Sequence, residues 1–225
     1  MNFTTHCSPF ATAVTVSLDA GESAKVEGGA MIAHSAGLDI KLATGNIGSA
    51  IRRKAIGGEG AILTRYTALR SGAWVTVAPA MPGDVIDIPL QGGELVLQQG
   101  SFIASVGDID VTAVVSGPSR ILMKEGVSEL RARGTGRILI GSYGGLMPAY
   151  NLRAGDAVAI DTGHLVAYDR SISVKIRAHG GVARAVGSAE GLVAHLSGPG
   201  RVFVQTRSEA NTIGQLFPER AQNRS

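Results

Sequence analysis

The sequence has 225 residues, of which 31 are glycine, 44% are hydrophobic, 17% are charged and only 4% are aromatic. Its 21 basic and 18 acidic side chains leave a net charge of +3, and the two signs alternate along most of the chain. This distribution lacks the one-sided basic face that is typical of nucleic-acid-binding proteins. The single cysteine, Cys7, excludes an intramolecular disulfide and fits a reducing compartment.

Membrane insertion and secretion find no support in the sequence. The uncharged apolar runs are all shorter than the roughly 18–20 residues that span a bilayer. The first residues lack the basic region and apolar core of a secretory signal. We therefore expect a cytoplasmic protein with no transmembrane segment.

Alternation of apolar and polar residues is the main local signal along the chain. Period-two alternation is typical of strands that are buried on one face. Many glycines among these segments indicate tight turns, because glycine reaches positive φ at no steric cost. The sequence therefore predicts an all-β protein. The apolar sets that are expected to face the core are Phe10, Thr12, Val14, Val16 and Leu18; Ile109, Val111, Ala113 and Val115; and Ile172, Val174 and Ile176.

Three landmarks recur along the chain in the same order. The first is a Gly-acid pair, which predicts a tight turn whose carboxylate accepts hydrogen bonds from nearby backbone N–H groups. The second is a glycine that is followed ten residues later by a strand, and the third is a Gly-x-Gly pair at which two backbones are expected to pass closely. The first landmark occurs at residues 21–22, 83–84 and 155–156. The second occurs at residues 29–33, 100–104 and 163–167, and the third at residues 58–63, 134–139 and 198–203.

This recurrence predicts three β repeats in one compact unit. We assign residues 1–70 to the first repeat, 71–142 to the second and 143–208 to the third, followed by a tail over 209–225. The middle repeat is longer, because nine residues around 89–97 have no counterpart in the other two. Each repeat is too small to bury its own apolar face, so we expect the three to pack around a pseudo-three-fold axis.

The end of the third repeat carries a family resemblance. The pattern Gly-Pro-Gly-x-Val-x-x-Gln-Thr at residues 198–206 resembles the C-terminal signature of the altered-inheritance-of-mitochondria (mitochondrial biogenesis) family. The glycine-rich segment 45–60 is similar to the family's basic segment, and the likeness extends from about residue 10 to residue 207. The motif residues that we expect to be structural are Gly198, Pro199, Gly200, Gln205 and Thr206.

The resemblance implies a fold and an assembly. Members of this family are expected to contain three tandem units of the fold of the tryptophan RNA-binding attenuation protein, a short double-stranded β-helix or clamshell. They are also expected to be homo-oligomers, with a trimer favoured. The implied fold agrees with the threefold repeat.

Arrangements that support catalysis are absent from the sequence. A cupin-type metal site needs two histidines two residues apart, whereas the five histidines are scattered. No serine lies in a nucleophile-elbow pattern, and no glycine-rich run ends in the Gly-Lys-Ser/Thr of a phosphate loop. Paired carboxylates, Asp84 with Asp87 and Asp108 with Asp110, are expected to be solvated turn or strand residues. We therefore expect no enzyme activity, no catalytic residue, no metal and no cofactor.

One basic cluster departs from the repeat. Arg52, Arg53 and Lys54 form a candidate contact with an anionic surface, such as a lipid headgroup or a phosphate. Three such charges supply about 3 kcal/mol near an anionic membrane. The alternative is a solvated loop.

The function that the sequence favours is that of a non-enzymatic scaffold or binding protein, acting as a homo-oligomer with a protein partner or a peripheral membrane contact. One alternative is RNA binding by analogy of fold, which the small number of aromatic residues disfavours. The other alternative is a small-molecule sensor or enzyme with its site between repeats, where clefts commonly form. The chain does not name its ligand.

Overall fold

The computed structural model describes residues 1–43, 63–115, 128–147, 149–178 and 192–216. Within these ranges the chain forms sixteen β-strands, one short 3-10 turn over Thr162–His164 and one helix, which confirms the predicted all-β class. In chain order the elements are β1 (Asn2–His6), β2 (Ala13–Leu18), β3 (Ser23–Glu27), β4 (Met31–His34), β5 (Leu38–Leu42), β6 (Leu63–Ala68), β7 (Ala73–Val77), β8 (Val85–Leu97), β9 (Phe102–Val115), β10 (Ser128–Gly141), β11 (Tyr150–Leu152), β12 (Ala157–Asp161), β13 (Leu165–Asp169), β14 (Ser173–Ala178), β15 (Leu192–Ser197), β16 (Gly200–Val204) and α1 (Glu209–Leu216).

The described strands form three antiparallel sheets. A four-stranded sheet has the order β1-β2-β7-β4, and a three-stranded sheet has the order β12-β15-β14. The largest sheet contains nine strands in the order β11-β16-β13-β8-β10-β9-β3-β6-β5. Strands from all parts of the chain meet in this large sheet, so it ties the fold together.

Three hydrophobic clusters lie among the described residues, and the long β9–β10 pair joins the first two. Ala104 and Val106 of β9 pack in the first cluster, whereas Ile109 packs in the second. In β10, Leu139 packs in the first cluster and Ile138 in the second, because successive side chains on a strand point to opposite faces. A third cluster is built mainly from β13, β15 and β16.

The predicted alternation is largely confirmed, with one correction. Val14, Val16 and Leu18 are at most 2% exposed, and Thr12 is 1% exposed. Phe10 was predicted to share their buried side, but it is 71% exposed. The physical reason is that β2 begins only at Ala13, so Phe10 lies in the preceding turn, where strand alternation does not apply.

In all three Gly-acid turns the carboxylate accepts a hydrogen bond from a nearby backbone N–H, as predicted, and in two of them the donor lies three residues earlier. The carboxylate of Glu22 accepts from the backbone N–H of Asp19 at 2.8 Å, and that of Asp156 accepts from the backbone N–H of Arg153 at 2.8 Å. In both turns the acid's own N–H also donates to the carbonyl three residues earlier. These carboxylates therefore satisfy backbone donors of their turns.

The middle copy of this turn has different partners. Asp84 accepts hydrogen bonds from the hydroxyls of Thr12 at 2.8 Å and Ser8 at 3.3 Å, and from the backbone N–H of Val85 at 2.9 Å. The backbone N–H of Thr12 donates to the carbonyl of Gly83. Asp84 therefore attaches the N-terminal segment to the middle of the chain.

The Gly-x-Gly pair in β10 lies where two backbones approach closely, as predicted. A Cβ atom on Gly134 would lie 2.1 Å from the carbonyl oxygen of Asp108, and one on Gly136 would lie 2.2 Å from that of Val106. Both glycines also have positive φ, at 134° and 157°. No side chain fits at either position without moving the neighbouring strand.

The nine residues around 89–97, which the sequence predicts to be an insertion, lie in a strand. They belong to β8, which pairs with β10 along its whole length, with a register shift at Gly134/Thr135. Gly92 has a φ of 76° at this irregularity. The additional residues thus lengthen the central strands of the nine-stranded sheet.

Candidate functional site

The residues of the C-terminal motif connect two loops to the sheet. The side-chain carbonyl of Gln205 accepts from the backbone N–H of Tyr143 at 2.8 Å, and its amide donates to the carbonyl of Gly163 at 3.1 Å. The hydroxyl of Thr206 accepts from the backbone N–H of Gly145 at 2.9 Å. These polar groups are all engaged with backbone, so they hold the segments before β11 and β13 against the end of β16.

The glycines of the same motif form the turn between β15 and β16. The backbone N–H of Gly198 donates to the carbonyl of Asp156 at 3.1 Å. A Cβ atom on Gly198 would lie 2.4 Å from the carbonyl oxygen of Arg153. Pro199 and Gly200 follow in the turn, and Gly200 begins β16. The close contact with the Arg153 carbonyl requires glycine at this position.

Arg201, the next residue along the chain, forms a partly buried ion pair with Asp169. The guanidinium of Arg201 donates two hydrogen bonds to the carboxylate of Asp169, at 3.0 and 2.9 Å, and its backbone N–H donates a third at 2.8 Å. This pairing raises the pKa of Arg201 above its usual range. The Arg201 guanidinium also lies 5.6 Å from the centre of the Phe203 ring. The pair joins β13 to β16, and each charge compensates the other.

The basic cluster that was predicted from the sequence, Arg52, Arg53 and Lys54, lies outside the described residues.

The described histidines are dispersed. In the ranges that the structure covers, no three His, Cys, Asp or Glu side chains come close enough to hold a metal ion. His195 is exposed on β15, and His179 lies outside those ranges. The other histidines hydrogen-bond to nearby polar groups, namely His6 to the Thr15 hydroxyl, His34 to the Ser35 carbonyl and His164 to the Gln205 carbonyl.

A polar cavity of about 440 Å³ lies over the middle of the nine-stranded sheet, and sequence reasoning did not find it. Its described lining consists of Glu94, Asp110, Thr112, Arg131 and Arg133. Arg131 lies directly opposite Thr112, and Arg133 lies opposite both Asp110 on β9 and Glu94 on β8. The cavity floor is thus formed by the three adjacent strands β8, β10 and β9.

Two buried polar atoms at this cavity have no hydrogen-bond partner in the described structure, Glu94 Oε1 and Arg131 Nε. They lie 3.7 Å apart, which is too long for a hydrogen bond. The Arg170 side chain, from the turn between β13 and β14, approaches the same Glu94 oxygen at 3.6 Å. The hydrogen bonds of this cluster are therefore incomplete, and each buried polar group without a partner costs about 1–3 kcal/mol.

Arg133 is the most available cation of the cavity. Its side chain is exposed, and it has no ion-pair or hydrogen-bond partner among the described residues. Asp110, across from it, interacts electrostatically with Lys25 of β3. Burial and the nearby charge of Arg65 lower the pKa of Lys25, while Asp110 and Asp108 oppose that effect. Lys25 also donates to the carbonyl of Ile109.

One carboxylate elsewhere has a strongly altered titration. Burial raises the pKa of Glu27, at the end of β3, from its ordinary value of 4.5 to about 7. Glu27 lies opposite Leu63 on β6. A carboxyl group in this position is mostly protonated below neutral pH and loses its proton close to physiological pH.

An apolar edge is the second exposed feature of note. We use this name for Met31 and Ile32 of β4 and Ile40 and Leu42 of β5, which are 39%, 58%, 44% and 66% exposed. Among the described strands, β4 is the terminal strand of the four-stranded sheet and β5 is a terminal strand of the nine-stranded sheet. The charges of β5 pair with each other, since Lys41 Nζ lies 2.6 Å from the Asp39 carboxylate. The apolar edge therefore carries little net charge.

The sequence contained partial signals for both features. Arg131 and Arg133 are two residues apart, so a strand assignment places them on one face. Glu94 and Asp110 could not be placed beside them, because cross-strand register depends on residues far away in the sequence. The apolar edge was obscured because Met31, Ile32, Ile40 and Leu42 are the residue types expected in a core.

Within the described ranges, no helix is both long and apolar enough to cross a membrane. A curated protein of Streptococcus pyogenes serotype M6, described as uncharacterised, is 24% identical over 225 residues, which cover 96% of this chain and 90% of that protein. A crystal structure of a protein from Streptococcus pyogenes has a TM-score of 0.78 at 23% identity, over 96% of this chain and 97% of the other. This chain and the crystallised protein therefore share a fold. The family model described as "Mitochondrial biogenesis AIM24" matches residues 3–207, and the chain therefore belongs to that family.

Proposed function

We propose that this protein is a non-enzymatic scaffold or binding protein that acts as a homo-oligomer. The observation that carries the proposal is the apolar edge, whose large side chains are 39–66% exposed on two terminal strands. Contiguous exposed apolar groups are typical of interaction surfaces, and we propose that these side chains, from the terminal strands of two different sheets, form one such surface. An edge strand also offers unpaired backbone N–H and C=O groups to another strand.

A second copy of the same chain is the occupant that we favour for the apolar edge. The internal pairing of Asp39 with Lys41 leaves β5 without net charge, so identical copies approach each other without repulsion. Most soluble oligomers are closed homo-oligomers. A trimer is consistent with the family resemblance of the C-terminal motif.

The internal architecture that we propose consists of three tandem repeats, each resembling the tryptophan RNA-binding attenuation protein unit, around a pseudo-three-fold axis. The recurring landmarks support this arrangement. The carboxylates of Glu22 and Asp156 accept from the N–H three residues earlier in equivalent turns, at the same distance of 2.8 Å. A scaffold of repeated units provides similar edges without needing a unique catalytic centre.

A cytoplasmic, non-catalytic role fits the remaining side chains. Cys7 is a free, exposed thiol, which is compatible with a reducing compartment. The polar groups of Gln205, Thr206, Arg201 and Asp169 are occupied in holding strands and loops together. Such engaged groups stabilise the fold and are not available to a substrate.

The apolar edge is tested by the matched substitutions Leu42→Glu and Leu216→Glu. Leu42 and Leu216 are 66% and 67% exposed, so both variants place the same charge on equally exposed leucines. Light scattering coupled to size-exclusion chromatography should give a multimer of the 23.1 kDa chain for the wild type and Leu216→Glu. Leu42→Glu should give a smaller species, because the interface would have to bury a charge. A wild-type monomer would refute the assembly proposal.

A further inference from the structure

The polar cavity over β8, β9 and β10 has features of an anion site, and none of its described lining residues belongs to the apolar edge. Arg131 and Arg133 occupy alternate positions of one strand, so their guanidinium groups extend from the same face of the sheet. Arg170 approaches from the third repeat at 3.6 Å from Glu94. Guanidinium groups bind phosphate and carboxylate oxygens through paired N–H donors. The cavity thus collects cationic donors from two repeats.

The charge balance of the cavity favours an anionic ligand. The described lining carries two guanidinium groups, from Arg131 and Arg133, and two carboxylates, from Glu94 and Asp110. Arg170, whose Nε lies 3.6 Å from the Glu94 carboxylate, adds a third guanidinium group beside the lining. The Asp110 charge is further offset by Lys25, with which it interacts electrostatically. With Arg170 and Lys25 counted beside the lining, four positive groups face two carboxylates, an excess of two charges that a dianion compensates.

The hydrogen-bonding groups of the cavity are also incompletely used. Arg131 Nε is buried without an acceptor, and Arg133 has no partner among the described residues. Buried polar atoms in folded proteins normally have a partner, which is protein, water or a ligand. Arg131 and Glu94 form an ion pair at 3.7 Å, in which the Nε–H makes no hydrogen bond to the carboxylate.

From these observations we propose that the cavity binds a small molecule that carries a phosphomonoester group, with Arg131 and Arg133 as its principal contacts. A phosphomonoester is close to a dianion at neutral pH and offers three oxygens to the two guanidinium groups. The volume of about 440 Å³ exceeds what a phosphate alone occupies and falls within the range of metabolite sites. Thr112, Glu94 and Asp110 provide hydrogen-bonding partners for hydroxyl groups on the remainder of the ligand.

Arg133→Gln is the first variant for the test, because Arg133 is exposed and its loss removes no hydrogen bond or ion pair to the described residues. The matched control is Arg177→Gln, which also removes an exposed charge, from β14. The double variant Arg131→Gln, Arg133→Gln removes both proposed contacts. Circular dichroism and the melting temperature without ligand establish that each variant is folded.

The probes separate a free ligand from a lipid headgroup. Glycerol 3-phosphate represents the free phosphomonoester, with glycerol and acetate at equal ionic strength as controls. Vesicles of phosphatidylcholine with and without phosphatidic acid present the same group on a membrane. Binding is measured by titration calorimetry for the soluble compounds and by co-sedimentation for the vesicles.

We expect wild type and Arg177→Gln to bind a phosphomonoester probe, and Arg133→Gln to bind it at least about tenfold more weakly, since a charged hydrogen bond is lost. The double variant should show no binding. Binding of glycerol 3-phosphate indicates a free ligand, and binding confined to phosphatidic acid vesicles indicates a lipid. The proposal is overturned if wild type binds neither probe, or if folded Arg133→Gln and the folded double variant bind as tightly as wild type. An oligomeric wild type that fails these tests would leave the proposal for the apolar edge intact.

Discussion

The substitution Glu27→Gln gives a direct prediction about stability and pH. Glu27 is half-buried on β3, and burial raises the pKa of its carboxyl group from 4.5 to about 7. Between these two values the native state keeps a proton that the unfolded chain has released. The free energy of unfolding contributed by this group therefore falls as the pH rises from about 4.5 to about 7, and it is constant above that range.

The magnitude follows from the size of the shift. A shift of this size corresponds to about 3 kcal/mol, and residual solvent exposure reduces the effect to about 1–3 kcal/mol. Glutamine cannot ionise and has nearly the same shape as protonated glutamate. Glu27→Gln should therefore match the wild type near pH 4.5 and exceed its free energy of unfolding by about 1–3 kcal/mol at pH 8.

Urea denaturation at several values between pH 4.5 and pH 8.5 measures this difference. Asp108→Asn, which neutralises an exposed carboxylate on β9, is the control for a general effect of charge. The difference between Glu27→Gln and wild type should grow with pH, whereas Asp108→Asn should not reproduce that growth. If Glu27→Gln and wild type have equal free energies of unfolding across the series, burial does not raise the pKa of the Glu27 carboxyl group as we infer.

Two further predictions concern the ion pair and the close backbone contact. Arg201→Ala should lower the free energy of unfolding by about 1–3 kcal/mol, because the Asp169 carboxylate loses its charged donors. Arg201→Lys should recover only part of this loss, because lysine cannot donate through a planar fork. Full recovery by lysine would contradict the role of the paired geometry. Gly134→Ala should lower the free energy of unfolding by about 3 kcal/mol or more, since its Cβ would lie 2.1 Å from the Asp108 carbonyl oxygen. Gly92→Ala should lower the free energy of unfolding by only about 1–2 kcal/mol, because Gly92 has a φ of 76° but open space around it. Urea denaturation measures both, and equal losses for the two glycine variants would show that steric contact does not control the Gly134 position.

The parts of the fold that depend on local sequence were predictable. The alternation of Val14, Val16 and Leu18 depends on the two-residue period of a strand, and these side chains are buried together. The turns at Glu22 and Asp156 depend on short-range hydrogen bonds between a carboxylate and its own backbone. Phe10 was misplaced because the sequence did not show where the turn ends and β2 begins.

The candidate sites depend on contacts that the sequence does not encode locally. Glu94 and Arg131 are 37 positions apart and meet only because β8 pairs with β10 in one particular register. The high pKa of Glu27 arises from burial, and neighbouring residues along β3 do not reveal how much of its side chain is covered. Arg52 was selected from the sequence as a candidate contact, and it lies outside the described residues.

The mass of the wild-type protein in solution tests the central claim most directly. Light scattering at concentrations from about 1 to 100 μM should give a multimer, with three times the 23.1 kDa of one chain as the favoured value. Leu42→Glu should shift that mass toward 23.1 kDa, while Leu216→Glu should not. A wild type that stays at 23.1 kDa throughout, or a folded Leu42→Glu variant with the full wild-type mass, would contradict assembly through the apolar edge.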